Sequence, residues 1–452
     1  LRSGHALGRF GDARVYAQQS EQDGLRAADG SDSFNVMRNQ MVGFRSDSKP
    51  AADQTFTLAG EHYRGQREDQ FEAPAEAGNV VTSGGHLRAR WNWQADASRE
   101  WQAQALYDRS KRLIPSTVFS ETRDLTRLEL QHRWQQGSHT LLAGGHYAQS
   151  RDDTGEGPPY VFIFVPSAEK LRFYGAFVQD QIALSRTLEL TIGSKFEHND
   201  YTGWEAQPNL RLGWAFRPGW FSWVAASRAM RTPSRLDHDS ATFTPAFRSG
   251  NPEQKPERLH AYEGGLRFYG RPALSADLAL FYNDYDDLRS SEAAVPVPQY
   301  GNGIKGRSYG AELALAWQPR KGFELRPAFS LLRLHLQAKP GSTDSSTAAA
   351  FEDQSPRQQA SLRMDWQPLP RWGLNGFLRH VGAVNRHNPN GAVQAYTELD
   401  LRLAWQARKG LELALVGENL LDDQHGEFRT AISTAFVEVE RAARLELSWT
   451  WD

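Results

Sequence analysis

The sequence predicts an all-β protein whose fold class is a transmembrane antiparallel β-barrel. Three observations lead to this prediction: apolar and polar residues alternate with a period of two along most of the chain, short and long connections alternate between these segments, and tryptophans gather beside the short connections. Membrane barrels combine these features, because each strand has one face towards lipid and one towards a polar lumen, and because aromatic rings favour the membrane surface. We expect residues 1–452 to form one barrel domain.

The alternation defines the strands. Over residues 87–94, leucine, alanine and tryptophan hold the odd positions, whereas arginine, asparagine and glutamine hold the even ones. The pattern recurs over residues 128–134, 359–366 and 399–405. Many segments run for about ten residues or more, which exceeds the usual strand of a soluble protein and suits a tilted strand that crosses the hydrocarbon layer. A soluble sandwich also alternates, so strand length and connections distinguish the two folds.

The connections are of two kinds. Short turns that carry proline, glycine or charged residues fall at 136–138, 217–219, 271–272, 319–322, 368–371 and 407–410. Long polar connections fall at 19–39, 66–79, 111–123, 150–170, 229–257, 288–303, 338–355, 385–394 and 423–440. This asymmetry predicts short periplasmic turns and long extracellular loops. The connections separate about 21 strands, and because bacterial barrels have even counts we expect a 22-stranded barrel whose first strand lies upstream of Leu1.

Tryptophans favour the short-turn end of the predicted barrel. Those within a few residues of the short turns are Trp101, Trp134, Trp214, Trp220, Trp317, Trp366, Trp372 and Trp405. Core tryptophans of a soluble sandwich would have no reason to prefer one set of connections. The pattern therefore indicates an aromatic belt at a membrane surface.

Composition excludes several other classes of protein. The longest uninterrupted apolar run, Tyr160 to Val165, is far below the roughly 20 residues of a membrane-spanning helix. The balance of 52 Lys and Arg against 54 Asp and Glu does not suggest a nucleic-acid binder. The chain has no cysteine, which excludes disulfides and Cys-ligated zinc. Without a Gly-x-Ser-x-Gly pattern or a histidine pair beside carboxylates, we expect no enzyme, no structural metal and no cofactor.

Several segments carry a resemblance to a known family. They are Thr397–Trp405 followed by Gly417–Asp423, which reads Gly-Glu-Asn-Leu-Leu-Asp-Asp, then Ala226–Ser234 with Gly250–Glu257, and in support Tyr174–Asp180 and Gly306–Glu312. In these segments the sequence resembles the barrel of the TonB-dependent outer-membrane receptors, and the resemblance covers nearly the whole chain. Nothing in the sequence resembles the N-terminal plug of that family or its TonB-contact segment, so we expect the barrel portion of a longer protein.

The resemblance implies a function. Such a receptor lies in the outer membrane of a Gram-negative bacterium as a monomer, binds a scarce nutrient at the outer face, most often a ferric siderophore, and imports it with energy relayed by TonB. Receptors for haem, cobalamin or another metal chelate remain alternatives. A passive pore or an autotransporter-like barrel without a plug is the alternative from another class, and an outer-membrane enzyme is a third.

Candidate ligand-binding residues lie in the predicted extracellular loops. Tyr160, Phe162 and Phe164 either stack on a catecholate or other flat ligand, or form an extended strand that reaches the membrane surface. Arg231 either contacts ligand or plug, or shapes the base of a loop. Arg248, in the same predicted loop 229–257, is a further candidate ligand-binding residue.

Two further candidates are Tyr300, in the predicted loop 288–303, and His238, in the region where the resemblance places an iron-ligating histidine of haem importers. Because Thr232 and Glu253 differ from the haem-receptor pattern, a solvated loop histidine is the favoured interpretation of His238.

Two groups of polar residues have structural interpretations. The paired acids Asp152-Asp153, Asp286-Asp287 and Asp422-Asp423 are expected at a solvated rim, since adjacent strand residues point to opposite faces. Asn419 is expected to stabilise a turn through its side chain.

Overall fold

The fold was analysed in a computed structural model. The structure describes residues 1–8, 11–24, 26–27, 36–69, 78–115, 119–156, 163–242, 246–271, 273–384, 392–427 and 437–450. In chain order its elements are β1 (Arg2–Ala6), β2 (Asp12–Gln22), β3 (Arg26–Ala27), β4 (Met37–Ala51), β5 (Gln54–Asp69), β6 (Gly78–Gln94), β7 (Arg99–Ile114), β8 (Phe119–Gln136), β9 (His139–Glu156), β10 (Ile163–Phe164), β11 (Ala168–Ala183), β12 (Leu188–Asn199), β13 (Gly203–Arg217), β14 (Trp220–Arg231), α1 (Arg235–Asp239), β15 (Ser240–Ala241), β16 (Glu257–Arg271), β17 (Leu274–Glu292), β18 (Gln299–Arg320), β19 (Phe323–Ala338), α2 (Thr347–Glu352), β20 (Gln358–Leu369), β21 (Trp372–Val381), β22 (Tyr396–Arg408), β23 (Leu411–Glu418), β24 (Gln424–Gly426), β25 (Val437–Glu440) and β26 (Ala442–Trp449).

Within these ranges, 21 strands form one antiparallel sheet in which neighbours follow each other along the chain. Strands β10 and β15 pair outside it, and β3, β24 and β25 form a three-stranded sheet. The all-β prediction and the strand count are confirmed. The edge strands β1 and β26 pair with β2 and β23 respectively. Because direction alternates from strand to strand, the two edges of a 21-stranded sheet run the same way.

The two faces of the sheet differ as the alternation predicted. On β8, Leu128 and Leu130 are each 49% exposed on the outer face, where a lipid environment would cover them. Between them Glu129 faces the lumen and pairs with Arg127 at 2.5 Å. Pairing of this kind keeps charged groups satisfied along a polar lumen.

The short-turn end carries the predicted aromatic belt. Trp134, Trp214 and Trp317 are 40%, 51% and 47% exposed beside the short turns. Trp372 and Trp405 stand directly opposite each other on β21 and β22, and their rings stack at 6.0 Å between centroids. Rings exposed at one level of a barrel mark the membrane surface.

Some strands continue beyond the predicted loop boundaries. Residues 111–123 were predicted as a long connection, but β7 continues to Ile114 and β8 begins at Phe119. Opposite charges join the two strands there, since Arg112 lies across from Glu121 and donates to it at 2.9 Å. The polar residues at 111–123 therefore belong largely to strand ends that extend above the membrane, and not to a long loop.

The tight turn between β12 and β13, at the long-loop end of the sheet, was not predicted from the sequence. Strands β12 and β13 are joined by residues 200–202 only. The Asn199 Oδ1 atom accepts hydrogen bonds from the backbone N–H groups of Tyr201 and Thr202, and Gly203 takes a φ of 74°. Such side-chain bonding closes a turn without a long loop.

Both helices lie in long connections at the opposite end of the sheet from the tryptophan belt. Across the described part of the chain, no helix has the length and apolar character needed to cross a membrane.

Candidate functional site

The connection between β14 and β16 is built around the short helix α1. The helix starts in a capping box: the Ser234 hydroxyl accepts from the Asp237 N–H, and the Asp237 carboxylate accepts from the Ser234 N–H at 2.9 Å. A capping box satisfies two helix-end donors reciprocally, so the four residues Ser-Arg-Leu-Asp define where the helix begins.

Asp237 is also the centre of an ion cluster. The residue is fully buried, and its carboxylate accepts from the Arg231 and Arg289 guanidinium groups, each at 3.0 Å. Arg231 in turn donates twice to Glu257, at 2.7 and 2.8 Å. Burial alone would raise the pKa of Asp237, but the Ser234 N–H and the two arginines hold it below its usual value. The cluster fixes the base of the loop to β14, β16 and β17.

Arg235 forms a second buried cluster on the other side of α1. Its guanidinium pairs with Asp152 on β9 at 2.5 Å and with Asp239 at 3.1 Å, donates to the Pro166 carbonyl, and lies 4.7 Å from the Phe164 ring centroid. The Arg235 and Asp152 side chains are only 9% and 8% exposed. This pairing joins the β9–β11 connection to the β14–β16 connection.

His238 packs into the same group. Its ring stacks on Tyr201 at 4.0 Å between centroids, and its Nδ1 lies 2.6 Å from Asp239 Oδ1. The Tyr201 hydroxyl donates to the other Asp239 oxygen at 2.6 Å, and burial together with that bond raises the pKa of Tyr201. The interpretation of His238 as a solvated loop histidine is therefore wrong, because its side chain is 18% exposed and held on two sides.

The remaining described candidates lie beside these clusters. Arg248 is exposed and donates from Nη1 to the Val165 carbonyl at 3.1 Å. The Tyr300 N–H donates to the Ser249 carbonyl at 2.8 Å, and the Arg289 guanidinium lies 5.2 Å from the Tyr300 ring centroid.

The structure thus brings five sequence-predicted residues into one assembly at the long-loop end: Phe164, Arg231, His238, Arg248 and Tyr300. We call it the mouth assembly. The other two predicted residues, Tyr160 and Phe162, lie outside the described residues.

Sequence reasoning missed the residues that hold the mouth assembly together. They are Asp152, Tyr201, Arg235, Asp237 and Arg289. The three-residue spacing of Ser234 and Asp237 is typical of a capping box and could have predicted the start of α1. The other contacts join positions as far apart as 83 residues, and no local pattern indicates them.

The expectation that the paired acids are solvated is wrong for two of them. Asp152 and Asp287 are each only 6% exposed. Asp287 takes a φ of 57°, which turns its carboxylate to the same side as that of Asp286, and both accept from Lys339 at 2.5 to 2.6 Å. Burial would lower the pKa of Lys339, but the two carboxylates raise it.

Another ion cluster lies near β21, β22 and β24. Ligand-type atoms of Glu398, His425 and Glu427 lie within 4.8 Å of one another, and this is the one such group in the described part of the chain. The Arg379 guanidinium pairs with both glutamates, and the His425 ring stacks on Tyr396 at 4.1 Å. Arg379 already supplies positive charge at the position that a cation would take.

The described side-chain hydrogen bond of Asn419 joins it to strand β25 rather than to the backbone of its own turn. Asn419 is fully buried with a φ of 50°, its N–H donates to Asp400 at 3.0 Å, and its amide donates to the Val439 carbonyl at 3.1 Å. Asparagine tolerates this left-handed conformation better than most residues.

The arrangement is suited to binding rather than to covalent chemistry. Its arginines and carboxylates neutralise one another, so they brace the loops, while aromatic rings and the exposed Arg248 lie around them. Together with the loop connections, a long antiparallel sheet with an apolar outer face and a polar lumen defines the class of outer-membrane β-barrels.

Comparison with known proteins identifies the family. Residues 9–420 match the family described as TonB dependent receptor-like, beta-barrel, and the chain belongs to it. Members of this family are transporters rather than enzymes, and they lie in the outer membrane of Gram-negative bacteria.

Individual relatives agree with this assignment. The iron-regulated outer membrane virulence protein of Vibrio cholerae is 23% identical over 278 residues, which are 56% of this chain and 41% of the relative, so the match spans less than half of that protein. A mutant of the ferric enterobactin receptor of Pseudomonas aeruginosa superposes with a TM-score of 0.79 at 15% identity, covering 99% of this chain and 76% of the receptor. The siderophore receptor PirA of Acinetobacter baumannii gives 0.76 at 14% identity, covering 97% and 75%. At such identities the solved structures establish the fold alone.

Proposed function

We propose that the protein binds a ferric siderophore at its long-loop end and imports it across the outer membrane with energy supplied through TonB. The observation that carries the proposal is the mouth assembly, in which aromatic rings and an exposed guanidinium lie together at the mouth of a transporter-family barrel. The names of the relatives support the same ligand class, since they describe an iron-regulated protein and two siderophore receptors.

The chemistry of the assembly suits an anionic chelate with flat rings. Arg248 keeps its positive charge available, because its described hydrogen bond goes to a neutral carbonyl. Tyr300 and Phe164 provide ring faces beside it, each with an arginine already on one side. A ferric catecholate would combine charge attraction to Arg248 with stacking on these rings.

A binding assay tests the ligand class. The purified chain is titrated with a ferric catecholate, a ferric hydroxamate, haem and cobalamin, and quenching of tryptophan fluorescence is followed. We expect a ferric siderophore to bind, and Arg248→Ala to weaken binding about tenfold, which corresponds to about 1.4 kcal/mol. Arg217→Ala is the matched control, because Arg217 is exposed at the short-turn end.

The outcomes separate the proposal from its alternatives. Binding of haem or cobalamin without any ferric siderophore would reject the ligand class. Ion conductance by the full-length natural protein, with no ligand bound, would favour a passive pore. Coupling to TonB is tested by growth on the bound ferric complex in strains with and without TonB, and equal growth would contradict that part of the proposal.

A further inference from the structure

The lumen face of strand β19 is apolar at its long-loop end, where a polar lumen would predict polar side chains. Phe329 is 44% exposed on the lipid-facing side of this strand. Arg333 and His335 lie at even distances from Phe329 and share its face, whereas Leu334 and Leu336 lie at odd distances and face the lumen. The usual alternation is therefore inverted here, and the two leucines are in contact with water unless an apolar group covers them.

The two leucines line a cavity with a volume of about 370 Å³. Its other apolar walls are Tyr285 and Leu288 from the region of β17, and Phe351 of helix α2. All five apolar side chains are half-buried. Ligand pockets in proteins have volumes of roughly 300–1,000 Å³ and mainly apolar walls, so this cavity has the size and the lining of a site for part of a ligand.

Hydrogen bonds hold helix α2 against the strands. The Glu352 carboxylate accepts from the Leu336 N–H, and Asp344, shortly before the helix, accepts from the N–H groups of Ser291 at 2.6 Å and Thr347 at 2.9 Å. These bonds join α2 and the loop before it to β19 and β17. The protein's own contacts therefore form the cavity in advance, which lowers the entropic cost of binding a ligand there.

The polar side of the cavity adjoins the mouth assembly. Arg231, Glu257 and Arg289 border the cavity, and the two arginine side chains are 46% and 30% exposed. Arg289 donates from Nη1 to Asp237, and its guanidinium lies 5.2 Å from the Tyr300 ring centroid. A guanidinium carries five N–H donors, and this is the one side-chain hydrogen bond of Arg289 among the described residues. Donors therefore remain for a carbonyl or carboxylate oxygen of a ligand.

We propose that this cavity binds an acyl chain carried by the ferric siderophore, so that the transported ligand is an amphiphilic chelate. The inference rests on the proposed function and narrows its ligand class. The carbonyl that joins the chain to the chelate accepts from Arg289, the chain lies between β19 and α2, and the iron-bearing head stays beside Tyr300. Continuity with the mouth assembly favours a ligand over a segment of the protein as the occupant. Burial of the chain removes apolar surface of both partners from water.

Affinities for two matched chelates test the proposal. The purified chain is titrated with one ferric siderophore that carries either an acetyl or an octanoyl group at the same nitrogen, and quenching of tryptophan fluorescence is followed. Free concentrations are corrected for uptake of each chelate by detergent micelles. We expect the octanoyl form to bind at least about tenfold more tightly, because its additional methylene groups leave water.

The outcomes separate this inference from the proposed function. Equal affinities for the two chelates would overturn the inference and leave the proposed function intact. Binding of neither chelate would reject the ferric-siderophore function and the inference with it. The preference for octanoyl should also hold in the full-length natural protein, and its loss there would show that another segment of the protein fills the cavity, which would overturn the inference.

Matched variants locate the acyl site. Leu334→Trp fills the cavity and should bring the ratio of the two affinities close to one. Ser330→Trp, four positions away on the same face of β19 and not part of the cavity wall, should keep the ratio of the unaltered protein. Circular dichroism checks that both variants keep their β-sheet. A ratio that persists in Leu334→Trp, or that falls equally in both variants, would reject this location.

Discussion

Arg235 of helix α1 and Asp152 of strand β9, 83 positions apart in the chain, form an ion pair in which both side chains are less than a tenth exposed. The pair lies between two extracellular connections that contribute residues to the mouth assembly. Their relative positions therefore depend on a charge interaction shielded from water, which is screened less than an exposed pair would be.

Removing one partner of this pair should make local unfolding around α1 easier. Asp152→Ala leaves Asp239 as the one described carboxylate paired with the Arg235 guanidinium, and we expect the free energy of local opening around α1 to fall by about 3 kcal/mol, the usual scale for a broken buried pair. Amide hydrogen exchange over residues 235–241 measures the effect. Asp153→Ala is the control, because Asp153 is the exposed neighbour. Equal exchange in the two variants would show that the pair does not hold the loop.

The loop after β19 should respond to acid. Its Asp344 is 9% exposed and accepts from the Ser291 N–H at 2.6 Å and the Thr347 N–H at 2.9 Å. Burial alone would raise the pKa of Asp344, but these N–H bonds, together with one from Ser346, lower it from 3.8. The stabilisation is therefore complete above pH 3.8 and is lost as pH falls through the folded-state pKa.

Limited proteolysis measures that response. Pepsin at about pH 2 should cut beside Phe351, in the same connection as Asp344, whereas proteinase K at neutral pH should leave this connection intact. Asp344→Asn should make the loop susceptible at neutral pH. If the unaltered protein and the variant are cut alike at neutral pH, the carboxylate does not anchor this loop.

Arg379 should decide whether the group formed by Glu398, His425 and Glu427 binds a cation. Arg379→Ala removes the guanidinium that pairs with both carboxylates, and three protein ligands within 4.8 Å then suit Zn²⁺. Titration calorimetry should detect Zn²⁺ binding in the variant and weaker or no binding in the unaltered protein. Adding His425→Ala should abolish it, and persistence of the signal would place the ion elsewhere.

The two faces of β8 should respond oppositely to added charge. Leu130→Arg puts a cation on the lipid face and should lower the free energy of unfolding by about 2–4 kcal/mol, whereas Gln131→Arg points into the lumen and should cost little. Urea unfolding in lipid vesicles compares the two. A larger loss for the Gln131 variant would reverse the assignment of the faces.

The fold was largely predictable from the sequence. Side chains alternate between the two faces of a strand with a period of two. The sequence alone therefore assigns Leu128 to the lipid-facing side and Glu129 to the lumen-facing side. Strand ends were less predictable, because the Arg112–Glu121 pair above the membrane looks in sequence like any polar loop.

The mouth assembly was predictable only in part. Arg231, Asp237 and His238 stand in one recognisable segment, but Arg289, which donates to Asp237, and Tyr201, which stacks on His238, come from distant parts of the chain. A left-handed Asp287 also reverses the rule that adjacent strand residues point to opposite sides. Long-range pairing and single backbone exceptions leave no periodic signal.

Three exposed tyrosines, Tyr262, Tyr282 and Tyr309, lie opposite one another on β16, β17 and β18. Their distance from the tryptophan belt sets the membrane thickness that the protein fits. On β18, Tyr309 and Trp317 are eight positions apart, which is about 27 Å along the strand and about 21 Å along the membrane normal at a tilt of about 40°. This is less than the hydrocarbon thickness of about 30 Å in a typical bilayer. Long-chain phospholipids would therefore have to thin around the barrel, so short-chain lipids are the better choice for reconstitution.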